Sequence, residues 1–100
     1  MDQAVTQKKI EIIAEIANTH QGDMDYAISL AKKCILAGAN AVKFQIYFAD
    51  ELLIKNHPKY SHFKKQSFSS DQWFKLFTIL KNKIKIYADI FGLKALNIAQ

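Results

Sequence analysis

Three polar side chains stand in or at the end of apolar segments, where a folded protein has to account for them. Glu15 lies in the apolar run of residues 10 to 17, and Lys43 and Gln45 lie in residues 41 to 46. A charged group in an apolar strand costs free energy unless it is paired or hydrogen-bonded. Either Glu15 and Lys43 form a structural ion pair, or Lys43 binds a phosphate or carboxylate. The spacing leaves both alternatives open.

Alternation along a strand predicts which of these side chains share a face. Residues two apart point to the same side of a sheet, so Lys43 and Gln45 are expected together on one face. The apolar residues that alternate with them are expected to face a helix. Glu15 likewise points away from the side that holds Ile16. Since ligands of parallel α/β proteins bind at the carboxyl ends of strands, these side chains are candidates for a site.

The elements that must position these residues begin with three short apolar runs. The runs span residues 10 to 17, 41 to 46 and 84 to 91, and nearly continuous apolar runs are typical of strands covered by helices on both faces. With a helical segment between successive runs, right-handed crossovers predict a parallel sheet. The fold class is therefore α/β.

The helical segments are marked by capping residues. Asp23 is the N-cap candidate of an amphipathic helix that ends near Gly38, and Ser69 opens a second helix through a Ser-x-x-Gln capping box. Residues 50 to 68 contain the only proline of the chain and show neither helical nor strand period, which predicts a long loop. Residues 93 to 100 could begin a third helix.

Composition argues against several classes of protein. The formal net charge of +5 rests on 14 basic residues, all of them lysines, and without arginine a nucleic-acid partner is not expected. No apolar run approaches the roughly 20 residues that span a bilayer. The single cysteine, Cys34, cannot form an intrachain disulfide, and no signal-peptide pattern opens the chain, so we expect a cytoplasmic protein. Residues 1 to 9 are predicted to be a polar leader before a domain of residues 10 to 100.

Two segments resemble the N-acetylneuraminate (sialic acid) synthase family. Residues 12 to 23, IIAEIANTHQGD, are similar to the family's opening strand and N-H-x-G turn, and residues 37 to 45, AGANAVKFQ, are similar to its second-strand signature AGADAVKFQ. The segments are separated as one βα unit requires, which is a stronger signal than either alone. The resemblance runs from about residue 10 to residue 91. It implies the N-terminal βαβαβ portion of a (β/α)8 TIM barrel, which takes about 250 residues when complete.

The resemblance also implies an activity. The parent enzyme would be a transferase that condenses phosphoenolpyruvate with an N-acetylmannosamine-type sugar, giving a nine-carbon sugar acid and phosphate. Glu15 would be its catalytic carboxylate, and Lys43 would bind phosphoenolpyruvate. Gln45 would contact the sugar, and the turn that holds Asn18 and His20 would shape the mouth of the site. A divalent metal, manganese or magnesium, would be held by ligands outside this segment, and the parent would be a homo-oligomer.

The third strand departs from the family pattern. Where the family has a segment like STPFD, whose threonine helps to hold the phosphate, residues 88 to 92 read ADIFG, so Asp89 takes the place of that threonine. An anion at this point of the substrate site repels a phosphate unless a metal or lysine intervenes. Asp89 therefore indicates either a different mode of substrate binding or another role. The alternative is a non-catalytic or diverged barrel that binds carbohydrate without phosphoenolpyruvate chemistry.

Simpler interpretations apply to the remaining candidates. His20 precedes a helix, a position typical of a capping or packing residue rather than a metal ligand. His57 and His62 have no partners at ligand spacing and are interpreted as loop residues, and Cys34 as a small core residue.

Because three parallel strands leave two open edges, we expect the 100 residues alone neither to catalyse nor to fold as a stable monomer.

Overall fold

The computed structural model describes residues 10 to 100, so the predicted polar leader of residues 1 to 9 lies outside the described part. Three strands, β1 (Ile13–Ala17), β2 (Ala41–Tyr47) and β3 (Lys85–Phe91), form one parallel sheet in that order, which confirms the predicted α/β fold. β1 begins at Ile13 rather than at Ile10, because the register opposes Ile13 to Ala41, the first residue of β2. The elements in chain order are β1 (Ile13–Ala17), α1 (Met24–Leu36), β2 (Ala41–Tyr47), α2 (Ala49–Leu52), α3 (Tyr60–Gln66), α4 (Ser70–Leu80), β3 (Lys85–Phe91) and α5 (Leu93–Ala99).

The predicted capping residues start the two longer helices. The Asp23 carboxylate accepts a hydrogen bond from the backbone N–H of Tyr26 at 3.1 Å, in the first turn of α1. At α4, the Ser69 hydroxyl accepts from the N–H of Gln72 at 3.2 Å, and the Gln72 side chain accepts from the N–H of Ser69 at 2.8 Å. This reciprocal pair satisfies two N–H groups that have no partner within the helix.

The prediction of a long loop over residues 50 to 68 is wrong. The segment contains α2, which has four residues, and α3, which has seven. Helices this short give no periodicity in a window of about 11 to 18 residues, so the sequence pattern could not reveal them. Tertiary contacts hold them instead. The Tyr60 hydroxyl donates to the Asp50 carboxylate, and the ring of Phe63 packs edge-on against that of Tyr47 at 5.8 Å between centroids.

The core lies between one face of the sheet and the helices α1 and α4. The alternate β2 residues Val42, Phe44 and Ile46 are fully buried, as predicted, and the Phe44 ring meets the edge of Trp73 at 5.9 Å. The opposite face of β2 carries Lys43, and we call it the lumen face. Other fully buried side chains from the two helices are Ala27, Ala31, Leu76 and Leu80.

Within residues 10 to 100, each of the two outer strands has one partner. β1 and β3 both pair with β2, so in this part of the chain each presents an open hydrogen-bonding edge. A groove of about 350 Å³ runs beside β3 and is lined by apolar residues that include Phe77, Ile86 and Ile90. Among the helices of residues 10 to 100, none combines the length and apolar character that crossing a membrane requires.

A carboxylate joins the segments that follow β2 and β3. Glu51 of α2 accepts hydrogen bonds from the backbone N–H groups of Lys94 at 2.9 Å and Ala95 at 3.3 Å, in the first turn of α5. Gly92, just before that helix, has φ of 122°, and a Cβ added to it would overlap the Glu51 side chain. Glu51 thus supplies the helix cap that Gly92 cannot provide.

Candidate functional site

Three side chains, one from each strand, contact one another on the lumen face. The Lys43 ammonium lies 3.4 Å from Oε1 of Glu15 and 3.3 Å from Oδ2 of Asp89. Glu15 is opposite Lys43 in the β1–β2 register, and Asp89 of β3 is opposite Gln45. We call Glu15, Lys43 and Asp89 the lysine triad. The structure therefore places Glu15 and Asp89 on either side of Lys43, and all three were predicted as site residues.

The three charged side chains of the triad are still accessible to water. The exposed fraction of the side chain is 31% for Lys43, 48% for Glu15 and 43% for Asp89. The Lys43 ammonium is therefore only partly buried, because three strands leave the lumen face open. Its hydrogen bonds to Asp89 and Glu15 raise the pKa of Lys43 above its usual value, so the ammonium stays charged at neutral pH.

The charges of the triad bear on which ligands it can accept. Two carboxylates and one ammonium sum to a single negative charge, and Lys43 already has an anion on each side. A phosphate that approaches Lys43 meets the negative charge of Asp89 beside it, which is the source of the repulsion that the sequence suggested. A hydroxyl-bearing ligand can instead donate to either carboxylate without displacing the lysine.

Gln45 lies beyond the triad on the same face, about 7 Å along the strand from Lys43. It lines a cavity of about 200 Å³, which we call the Asn18 cavity. Apolar side chains make up most of the remaining wall. The full lining is Asn18, Gln45, Tyr47, Leu52, Phe63 and Phe91.

An irregularity in β1 turns Asn18 towards this cavity. The register shifts between Glu15 and Ala17, and Ala17 has φ of 50°, in the left-handed region. An extra residue of this kind shifts the alternation of side chains and re-aims those that follow. As a result, Asn18 reaches Tyr47, which has the same parity as Lys43, and its Nδ2 donates to the Tyr47 hydroxyl at 3.3 Å.

Four of the six lining residues were not predicted as site residues from the sequence, and two of them, Tyr47 and Phe63, are joined by a hydrogen bond. Tyr47 is nearly buried, and its hydroxyl donates to the backbone carbonyl of Phe63 at 3.0 Å. Extending the Lys43 and Gln45 alternation by one step would have placed Tyr47 on the lumen face. No sequence signal marks Phe63, because it reaches the cavity from a helix that shows no periodicity.

His20 lies in the core and not on the lumen face. Only 1% of it is exposed, and its ring stacks on Phe68 at 4.3 Å and meets the edge of Trp73 at 6.4 Å. Its Nδ1 accepts a hydrogen bond from the N–H of Gly22 at 2.9 Å. Burial lowers the pKa of His20 to about 4, so the ring is neutral at physiological pH. These contacts give His20 a packing role, and its contact with substrate remains a prediction.

A divalent metal does not fit the residues that the structure describes. Within residues 10 to 100, no three side chains of His, Cys, Asp or Glu converge as a metal site would require. The carboxylates of Glu15 and Asp89 are bridged by the Lys43 ammonium, which takes the place a cation would occupy. The ligands of a metal therefore remain a prediction for residues outside this segment.

Comparison with known sequences finds relatives among sugar-acid synthases. The chain is 33% identical over 82 residues to an uncharacterised protein of Methanocaldococcus jannaschii, covering 82% of this chain and 22% of the relative. It is 29% identical over 86 residues to the pseudaminic acid synthase of two Campylobacter jejuni strains, covering 86% of this chain and 25% of each relative. The chain thus spans about a quarter of the length of these curated relatives. No protein-family model matches it.

Solved structures give the same result for the fold. The N-acetylneuraminic acid (sialic acid) synthetase of Leptospira borgpetersenii, crystallised with citrate, superposes with a TM-score of 0.80 at 29% identity, over 91% of this chain and 32% of that one. A spore coat polysaccharide biosynthesis protein of Bacillus subtilis superposes with a TM-score of 0.67 at 27% identity, over 95% of this chain and 27% of that one. In sequence and in fold, the chain is therefore a relative of the N-acetylneuraminate synthase family and corresponds to the N-terminal βαβαβ portion of its TIM barrel.

Proposed function

We propose that this chain is the N-terminal part of a sugar-acid synthase, which we call the parent protein. The parent condenses phosphoenolpyruvate with an N-acetylmannosamine-type sugar and releases a nine-carbon sugar acid and phosphate. It is a cytoplasmic, homo-oligomeric transferase of carbohydrate biosynthesis. The observation that carries the proposal is a lysine on the lumen face with Glu15 at 3.4 Å and Gln45 two residues further along the strand, in a chain related to sugar-acid synthases.

This reaction requires a positive charge that stabilises the anionic substrate and a group that accepts a proton. A new bond forms between the methylene carbon of phosphoenolpyruvate and the aldehyde carbon of the sugar, water adds to the neighbouring carbon, and phosphate leaves. The Lys43 ammonium offsets the charge of the phosphate or carboxylate, an effect that grows once the rest of the barrel excludes water. Glu15, which faces Lys43, accepts a proton from water or a hydroxyl. If residues of the rest of the barrel hold a divalent metal, it would supply activation of the aldehyde.

The test is phosphate release by the parent protein with phosphoenolpyruvate, manganese and a set of N-acetylated hexosamines. Lys43→Ala and Glu15→Gln should each lower kcat/KM by about 100-fold or more, the usual effect of losing an electrostatic or acid–base group. Lys33→Ala removes a lysine from the last turn of α1, away from the lumen face, and should leave the rate unchanged. No phosphate release with any such sugar would refute the proposal.

A second candidate function is favoured by the contact between Asp89 and Lys43. Because Asp89 already pairs with Lys43 at 3.3 Å, the parent could bind carbohydrate without phosphoenolpyruvate chemistry. Isothermal titration calorimetry separates the two candidates. Micromolar binding of sugar with no binding of phosphoenolpyruvate would support this second function, and binding of both would support the synthase.

A further inference from the structure

A second pocket lies on the side of the sheet that faces the helices, and we call it the outer pocket. It has a volume of about 350 Å³, and its apolar floor is formed by the buried residues Phe48, Ala49 and Phe68. Phe48 has an extended backbone and continues the alternation of Phe44 and Ile46, whose core it shares. The outer pocket and the lysine triad therefore lie on opposite sides of β2, and the two sites have no residue in common.

Two lysines stand at the rim of the outer pocket. The ammonium of Lys94 lies 4.3 Å from the centre of the Phe48 ring, and that of Lys64 lies 5.7 Å from the centre of the Tyr60 ring. Both rings line the pocket. Within residues 10 to 100, neither ammonium forms an ion pair with a carboxylate. An aromatic ring thus holds each lysine at the pocket, and its charge stays available to a ligand.

Asp50 is the third charged residue of the lining. Its carboxylate accepts a hydrogen bond from the Tyr60 hydroxyl. This hydrogen bond lowers the pKa of Asp50, and the positive charges of Lys55, Lys64 and Lys94 lower it further. The two lysines of the rim are therefore close enough to act on the same carboxylate. Two lysines and one aspartate leave the lining with a net charge of +1, which favours an anion over a cation.

The size and the remaining polar groups of the outer pocket suit a small ligand. Its volume of about 350 Å³ falls within the roughly 300 to 1,000 Å³ that is usual for ligand pockets. Ser70, in the first turn of α4, adds a hydroxyl to the lining. This hydroxyl and the second oxygen of the Asp50 carboxylate can bond hydroxyl groups of a ligand that extends beyond the lysines.

We propose that the outer pocket binds a phosphate group between the ammoniums of Lys64 and Lys94. A phosphate carries about 1.5 to 2 negative charges at pH 7 and therefore gains from both lysines, whereas a carboxylate carries only one. The group is supplied either as inorganic phosphate or as a phosphate monoester, whose hydroxyl groups then reach Asp50 and Ser70. The inference does not depend on the proposed function, because the substrates of that function bind on the lumen face.

A bound phosphate should also stabilise the fold. Lys64 belongs to α3, after β2, and Lys94 belongs to α5, after β3. A phosphate that contacts both lysines joins these two segments in the folded state alone. Since a ligand that binds only the folded state stabilises it, the Tm of the parent protein should rise with the concentration of the phosphate compound.

The experiment is isothermal titration calorimetry of the parent protein with inorganic phosphate and with glycerol 3-phosphate. Lys64→Met and Lys94→Met keep most of the apolar stem and remove the charge, and each should weaken binding by up to about fivefold, the upper range for an exposed ion pair. Lys75→Met, at an exposed position of α4 outside the pocket, is the matched control and should change nothing.

Two further variants separate the outer pocket from the lumen face and from damage to the fold. Binding should persist in Lys43→Ala, which removes the lysine of the triad. Asp50→Asn should tighten the binding of inorganic phosphate, because it removes the negative charge of the lining and keeps an acceptor for the Tyr60 hydroxyl. A tighter complex cannot result from a disturbed fold.

The two probes identify the source of the phosphate. Tighter binding of glycerol 3-phosphate would assign a monoester as the ligand, and equal or weaker binding would assign inorganic phosphate. The inference is overturned if neither probe binds. It is also overturned if binding is lost in Lys43→Ala but unchanged in Lys64→Met and Lys94→Met. None of these results requires turnover, so they leave the test of the proposed function separate.

Discussion

The buried imidazole of His20 should make the fold sensitive to mild acid. Burial lowers the pKa of His20 from its usual 6.5 to about 4, so as pH falls between these values the ring stays neutral in the fold while it becomes charged in the unfolded chain. Above pH 6.5 both states are neutral, and His20 contributes nothing to the pH dependence. As pH falls through 6.5, only the unfolded chain takes up the proton, so the free energy of unfolding decreases.

The size of the effect follows from the difference in pKa. Each unit of pH between 6.5 and 4 lowers the free energy of unfolding by about 1.4 kcal/mol, and the full loss approaches about 3 kcal/mol at pH 4. This is a large share of the 5 to 15 kcal/mol that is typical of a folded domain. Below pH 4 both states carry the proton and the loss no longer grows.

The assay is urea unfolding of the parent protein at several pH values from 7.5 to 4.5, followed by circular dichroism. His20→Phe keeps a ring to stack on Phe68 but removes the titrating group, so it should lose the acid-dependent part of the slope. It should also be less stable at pH 7.5, because the Gly22 N–H loses its acceptor. His62→Phe changes an exposed side chain and serves as control. Equal slopes for His20→Phe and the unsubstituted protein between pH 6.5 and 4.5 would refute the reasoning.

Three further predictions test the triad, the turns and the sheet edges. Asp89→Thr should free the Lys43 ammonium and lower KM for phosphoenolpyruvate by up to about fivefold, the upper range for an exposed ion pair; a rise in KM would contradict this. Gly22→Ala should destabilise the parent in urea unfolding more than Gly38→Ala, because both glycines have positive φ but only at Gly22 would the new Cβ overlap a backbone carbonyl of α3; equal losses would contradict the packing. Residues 1 to 100 expressed alone should be inactive and self-associate through their open strand edges in light scattering, and a monomer with a cooperative heat-unfolding transition would contradict this.

Local rules were enough to predict the scaffold. Asp23 and Ser69 cap their helices because their side-chain oxygens accept a hydrogen bond from the N–H group three residues further along. A contact over so few residues can be recognised directly in the sequence. Alternation in β2 likewise predicted that Phe44 is buried and that Lys43 shares a face with Gln45. These features depend on neighbours within about four residues.

Contacts between distant segments could not be predicted in the same way. The pairing of Lys43 with Asp89 depends on the register of β2 against β3, which a single sequence does not reveal. Asn18 turns to Tyr47 only because β1 has an irregularity at Ala17, where a non-glycine residue takes a positive φ. Phe63 lines the cavity only because it lies in α3, and this segment was predicted to be a loop.

The contact between Glu51 and the start of α5 has a consequence for chimeric barrels. The carboxylate that caps α5 comes from the segment after β2, and Gly92 leaves the room that this carboxylate occupies. A graft that exchanges only one of the two segments would leave a helix start without its acceptor or press a side chain against Glu51. Residues 48 to 52 and 91 to 95 should therefore be exchanged as one module when specificity is transplanted between related synthases.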